Sequence, residues 1–209
     1  DPDHLVMCKQ GHGAKETMGE NRARATTGMV TGAFIFGDNF SLVGLKDGEK
    51  PGYAEQSRKR AIEIMGNADI NEYVRNNTGS FMPLYGDDPS ESQVAESFFV
   101  RDTKDYFYLA VFNYSGSTQK TGVVSFERMG ISFDNVAEIK ELWLSRKVEY
   151  DASGLKFSVP AKDVRVYRMT KKVNTGIVGV KPEKVVDVQV VDGNVLRVDA
   201  DCKIANVAL

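Results

Sequence analysis

Near Ser92 the apolar residues of this chain change their spacing from that of helices to that of strands, so one polypeptide carries two kinds of architecture. Before the change, Met18, Arg22, Ala25, Met29, Val30 and Ala33 recur at helical spacing and predict a helix over 15–32. A second helix is expected over 53–65, with Tyr53, Ala61, Ile62 and Met65 on one side and Arg58, Lys59 and Glu63 elsewhere. A short apolar run precedes each. Leu5-Val6-Met7 ends in a loop carrying Gly11, Gly13 and Lys15, and Ala33-Phe34-Ile35-Phe36 is closed by Gly37-Asp38-Asn39. The second run does not alternate, which suits a strand buried on both faces of a parallel sheet. Strand, helix, strand, helix in that order is a piece of an α/β fold.

After Ser92 the helix signals stop. Short strands are expected at 97–100, 106–112, 122–126, 136–144, 155–159 and 164–169. The run 106–112 is apolar at almost every position, as in a central strand covered on both faces. In 155–159, Leu155, Phe157 and Val159 alternate with Lys156 and Ser158. Ser115-Gly116-Ser117, Asp134-Asn135 and Asp151-Ala152-Ser153-Gly154 supply turn chemistry between strands. The regular spacing argues for an antiparallel β-sandwich. Asn174-Thr175-Gly176 and Gly179 read as linker, after which Val186, Val188 and Val190 alternate with Asp187 and Gln189 and meet a two-residue turn signal at Asp192-Gly193. The expected fold class is therefore α/β plus all-β, divided at 1–90, 91–172 and 173–209, the last being a linker and the start of a further β unit.

Composition removes several functions. Of 209 residues, 27 are basic and 29 acidic, a formal charge of -2, so no positive field exists to collect nucleic-acid phosphates and no nucleic-acid partner is expected. No apolar run approaches the roughly 18 residues a membrane span needs. Cys8 and Cys202 stand far apart with no second Cys at ligand spacing, so they are read as separate thiols. His12 lacks a Cys or second His at ligand spacing, and no metal site is expected. Gly11 and Gly13 lack the third glycine of a dinucleotide fingerprint, and no cofactor is expected. No serine has the His and Asp partners of a hydrolytic triad. With no initiator Met, no signal-like start and a strand-like end at Ala205-Asn206-Val207-Ala208-Leu209, both ends are expected to be cuts in a longer protein.

Asp1-Pro2-Asp3-His4-Leu5 resembles the seventh-strand motif Asp-Pro-Asp-Met-Leu of the α-galactosidases (melibiases), and five further pieces follow in that family's order. Residues 29–41 are similar to its seventh helix and eighth strand. Ala61-Ile62-Glu63-Ile64-Met65-Gly66-Asn67 is similar to its last barrel helix. Tyr108-Leu109-Ala110-Val111-Phe112-Asn113, Glu141-Leu142-Trp143, and Phe157-Ser158-Val159-Pro160-Ala161 leading to Val166-Tyr167-Arg168-Met169 are similar to its sandwich. The resemblance covers about residues 1–169. It implies the last β/α units of a (β/α)8 barrel followed by an antiparallel β-sandwich, and a retaining glycosidase acting on terminal α-galactosides or related α-glycosides. It further implies a carbohydrate as partner and a periplasmic or extracellular location.

Retaining chemistry uses two carboxyl groups about 5–5.5 Å apart, one as nucleophile and one as acid/base. In the family both precede the Asp-Pro-Asp motif. The resemblance thus implies no catalytic residue in this chain, the pair being expected upstream of residue 1 with the missing barrel segment. It implies a substrate-binding role for Asp3, with His4 and Asp1 beside it, at the carboxyl end of a barrel strand where such sites assemble. A carboxylate suits the task, because it accepts charge-assisted bonds from adjacent hydroxyls. Sequence chemistry alone favours reading Asp-Pro-Asp as a turn, and the family order of the motifs favours the sugar-binding role. His4 stands where the family has Met, and either favours a different sugar or linkage or is simply solvated. Asp38-Asn39 reverses the family's order of acid and amide and also reads as a strand-ending turn.

Trp143 is expected in the core rather than as a sugar platform. The alternative to a glycosidase fragment is a non-catalytic β-sandwich module that binds carbohydrate or acts as scaffold, though Phe98, Phe99, Tyr106, Phe107, Tyr108 and Phe112 fall in strands expected to be buried. A third possibility makes residues beyond Pro182 the start of a sorting or attachment unit. If the barrel is incomplete, the helix over 15–32 is expected to expose an apolar stripe and the first 70 or so residues to be poorly soluble.

Overall fold

The computed structural model describes Met7 and residues 17–32, 51–77, 79–84, 97–172, 187–191 and 195–199, with the backbone alone for 51–54 and the last two stretches. Residues 1–6 and 33–50, where two strands of the α/β part are expected, lie outside the described residues. The chain divides into two compact units, Asp1–Lys172 and Val173–Leu209.

Among the described residues of the first unit, nine strands form two antiparallel sheets. These are β1 (Met82–Pro83), β2 (Phe98–Asp102), β3 (Tyr106–Asn113), β4 (Lys120–Val124), β5 (Val136–Glu141), β6 (Arg146–Lys147), β7 (Tyr150–Asp151), β8 (Gly154–Val159) and β9 (Asp163–Lys171). The larger sheet has the order β1-β2-β3-β9-β5-β6 and the smaller β4-β8-β7. Each strand pairing among the described residues is antiparallel. The sandwich is as the spacing predicts.

The unbroken apolar run of β3 has a simple cause. Phe107, Leu109 and Val111 pack with Val124, Leu155, Phe157 and Val159 of the smaller sheet, while Tyr108, Ala110 and Phe112 pack with a helical layer on the opposite face. Successive strand side chains point to opposite faces, so a strand in the middle layer of three must be apolar throughout. β9 beside it contributes Val164 and Val166 to the helical side and Tyr167 and Met169 to the sandwich interior.

The helical layer comprises α1 (Met18–Thr31), α2 (Pro51–Met65) and α3 (Ala68–Asn76). Thr17 and Glu20 close a capping box at the start of α1, and Gly32 ends it at φ 76°, a conformation that favours glycine. The apolar stripe expected to be exposed on this helix is instead covered. Ala25, Met29 and Val30 are buried with Trp143, Val164 and Val166, and the exposed residues of α1 are Arg24, Thr27 and Thr31. α2 buries Ser57 and Ile64, with Ala61 and Met65 partly covered, whereas Ile62 is 68% exposed. The inward face is therefore rotated from the one the sequence suggested.

α3 was not anticipated. Asn67 caps it, its side chain accepting from Ile70 N–H at 2.9 Å, and Ile70 and Tyr73 dock one turn apart. β5 ends at Glu141 rather than at 144, so Trp143 lies in the following turn; it is buried as expected.

In the second unit, β10 (Asp187–Val191) pairs antiparallel with β11 (Val195–Asp199), from Val191↔Val195 outward. The expected hairpin is present. Its closing residues, 192–194, lie outside the described residues.

Candidate functional site

Asp1, Asp3 and His4, the sugar-contacting candidates, lie outside the described residues, as do Asp38-Asn39, His12 and both cysteines. What the structure does describe is the main chain just beyond the first of these, at Met7. This residue is fully buried. Its carbonyl oxygen accepts from two helices at once: Asn21 Nδ2 of α1 at 3.1 Å and Arg60 Nη1 of α2 at 3.0 Å.

α1 is in turn held to the sandwich by three features. Arg22 donates Nε–H to Asp163 Oδ1 at 3.0 Å and Nη2–H to Oδ2 at 2.7 Å, a two-pronged pair that fixes direction as well as distance. Trp143 donates its indole N–H to Thr26 Oγ1 at 3.0 Å. Gly19 brings the helix so close to the β8–β9 turn that an added Cβ would meet the Lys162 carbonyl oxygen at 2.8 Å.

Asp163 is 3% exposed and fully engaged, since it also accepts from Val164 N–H and from Arg165 Nη1. Burial works to raise its carboxyl pKa, but the bonds from Arg22 and Val164 and the nearby guanidinium charges outweigh it and hold the group below its ordinary value. Glu141 shows the opposite balance. Its oxygens accept the N–H groups of Trp143, Leu144 and Val166, yet burial dominates and raises its pKa. Burial likewise raises the Tyr108 hydroxyl, to about 12. Asp163 is thus bound by two guanidinium groups and one backbone amide, and Glu141 by three backbone amides. Among the described residues no cluster of three or more His, Cys, Asp or Glu could hold a metal ion, and no helix is long and apolar enough to cross a membrane.

Sequence reasoning missed Asn21, Arg60 and Asp163. Asn21 left a signal, being a polar residue at the i−4 and i−8 positions from Ala25 and Met29 on the stripe that is buried. Asp163 left none, because its partner Arg22 is 141 residues away.

No protein-family model and no curated protein matches the sequence. Solved structures do match the fold. α-Galactosidase I from Mortierella vinacea superposes with a TM-score of 0.52 at 13% identity, over 78% of this chain and 38% of its own. A GH27 β-L-arabinopyranosidase from Geobacillus stearothermophilus gives 0.55 at 15% identity, over 78% and 34%. An isomalto-dextranase from Arthrobacter globiformis gives 0.52 at 13% identity, over 75% and 24%. The chain thus shares its fold with part of several glycoside hydrolases, and it spans less than two fifths of the length of each of these three.

Proposed function

We propose that this chain is the carboxy-terminal part of a retaining glycoside hydrolase that acts on terminal α-galactosides or related α-glycosides. On this reading residues 1–90 complete a (β/α)8 barrel, 91–172 form the sandwich packed against it, and 173–209 are a linker and the start of a further β unit. Asp3 accepts hydrogen bonds from sugar hydroxyls, with His4 and Asp1 at the same edge of the pocket. The nucleophile and acid/base Asp pair belongs to barrel strands upstream of residue 1. The enzyme works outside the cytoplasm, where its polysaccharide or oligosaccharide substrates are found.

The observation that supports this reading best is the shared fold of the helices and sandwich together, across 78% of the chain, with an α-galactosidase and a β-L-arabinopyranosidase. The second support is chemical. The Asp-Pro-Asp motif of residues 1–3 supplies carboxylates, which accept charge-assisted bonds from sugar hydroxyls.

The test uses the 209-residue chain. Offered an aryl α-galactoside, it is expected to release no phenol, while galactose binding followed by NMR is expected and should weaken at least tenfold in Asp3→Ala. Turnover that survives Asp3→Ala and contamination controls overturns the inactive-fragment reading. Galactose binding unchanged by Asp3→Ala removes the site.

A further inference from the structure

Two neighbouring residues of α1 reach in different directions, and each finds a buried partner. Arg22 reaches Asp163 at the start of β9, and Asn21 reaches the carbonyl of Met7. We propose that Asp163 is a positioning residue: through Arg22 and Asn21 it fixes the main chain at Met7, three residues beyond the segment Asp1-Pro2-Asp3-His4. This rests on the reading of that segment as sugar-binding.

The contacts have the rigidity such a role requires. Asp163 cannot swing, because Val164 N–H holds Oδ1 at 2.8 Å and Arg165 Nη1 holds Oδ2 at 2.9 Å. The guanidinium fork of Arg22 meets both oxygens, which fixes α1 in rotation as well as in position. The absent side chain at Gly19 removes the standoff that a Cβ would impose one turn earlier. Asn21 is fully buried, and its Oδ1 has no hydrogen-bond partner among the described residues. A half-used carboxamide in such a place is costly, and an apolar residue on the same stripe would avoid that cost. What an apolar residue cannot do is donate to Met7. Arg60 supplies a second donor from α2, so loss of the α1 anchor leaves that carbonyl tethered from one side only.

Selective ¹³C labelling of methionine methyls in the 209-residue chain reads Met7 directly, with Met129 in the sandwich interior as internal control. In Asp163→Asn, the Met7 methyl signal is expected to move and the amides of 21–31 to exchange at least tenfold faster, while Met129 keeps its position. Combining Asp163→Asn with Asn21→Ala should move Met7 no further than Asn21→Ala alone, because the two residues act in series. Arg22→Lys keeps the charge and loses the fork, so it should reproduce the effect in a milder form if Asp163→Asn fails to fold. An unmoved Met7 in a folded variant, additive shifts in the double variant, or Met7 and Met129 moving together overturns the proposal. A galactose titration of the unaltered chain separates the two readings. Absence of any response at the amides of Asp3 and His4 sinks the carbohydrate assignment, whereas the methyl shifts still decide the coupling.

Discussion

Asp163 and Glu141 are both buried acids, and the difference between their partners makes them respond to pH in opposite senses. Asp163 is matched by two guanidinium groups, so its folded pKa lies below the ordinary 3.8. Its stabilisation is present above that value and is lost as pH falls through the folded pKa. Glu141 has backbone amides and only a more distant charge, and its folded pKa lies above 4.5. Its contribution is present below the unfolded value and is lost as pH rises through the folded one. Asp163→Asn should therefore cost about 3 kcal/mol near neutrality, where it strands Arg22 and Arg165 without a counter-charge. The cost should shrink towards acid pH, and urea midpoints measured across that range check it. Glu141→Gln places an NH₂ where a backbone N–H already points, which should cost about 1–3 kcal/mol from the unsatisfied donors. A midpoint unchanged by that substitution shows the amide cradle to be dispensable.

Among the elements, α3 is held by charge in a manner that depends on strand register. Lys140 and Arg168 stand directly opposite each other on β5 and β9, an arrangement of like charges that is unfavourable by itself. Asp69 and Glu72, three residues apart on α3, answer them: Lys140 Nζ meets Asp69 Oδ1 at 2.7 Å and Arg168 Nη1 meets Glu72 Oε2 at 2.8 Å. Arg168 also lies over the Tyr106 ring at 4.9 Å. Asp69→Ala should cost about 1 kcal/mol, and Lys140→Ala in the same chain should recover part of it by removing the cross-strand repulsion. A double-mutant cycle with no coupling between the two positions counts against this account. The same element shows where sequence reading reached its limit. Strands β2, β3, β8 and β9 were legible because alternation or an unbroken apolar run reflects how many faces are covered. α3 was not, because only Ile70 and Tyr73 are buried along its 9 residues, and the ion pairs that add to their docking span 71 and 96 residues of sequence. The inward face of α2 was misjudged for a related reason. Ile62 and Ile64 are equally apolar, and the choice between them is made by what α2 packs against.

For the first unit as a whole, the middle sheet has two apolar faces, and covering only one of them leaves a large cost. Tyr108, Ala110, Phe112, Val164 and Val166 are buried against Met29, Val30, Ile70 and Tyr73, at roughly 25 cal/mol for each Å² of apolar surface withdrawn from water. Stripping the helices away would re-expose that face and create a patch of the kind soluble proteins avoid. Limited proteolysis of the 209-residue chain should therefore leave a resistant fragment that ends near Lys172, at the boundary between the compact units, and that retains α1, α2 and α3 together with the sandwich. The emission of Trp143, the single tryptophan, reports the same packing, because its indole donates to Thr26 on α1. Thr26→Val removes that acceptor at nearly constant volume, and the emission should change without loss of the fragment. A fragment reduced to residues 97–172, with helix peptides released and the tryptophan emission unaltered, means that the sandwich folds alone and the helices contribute little to it.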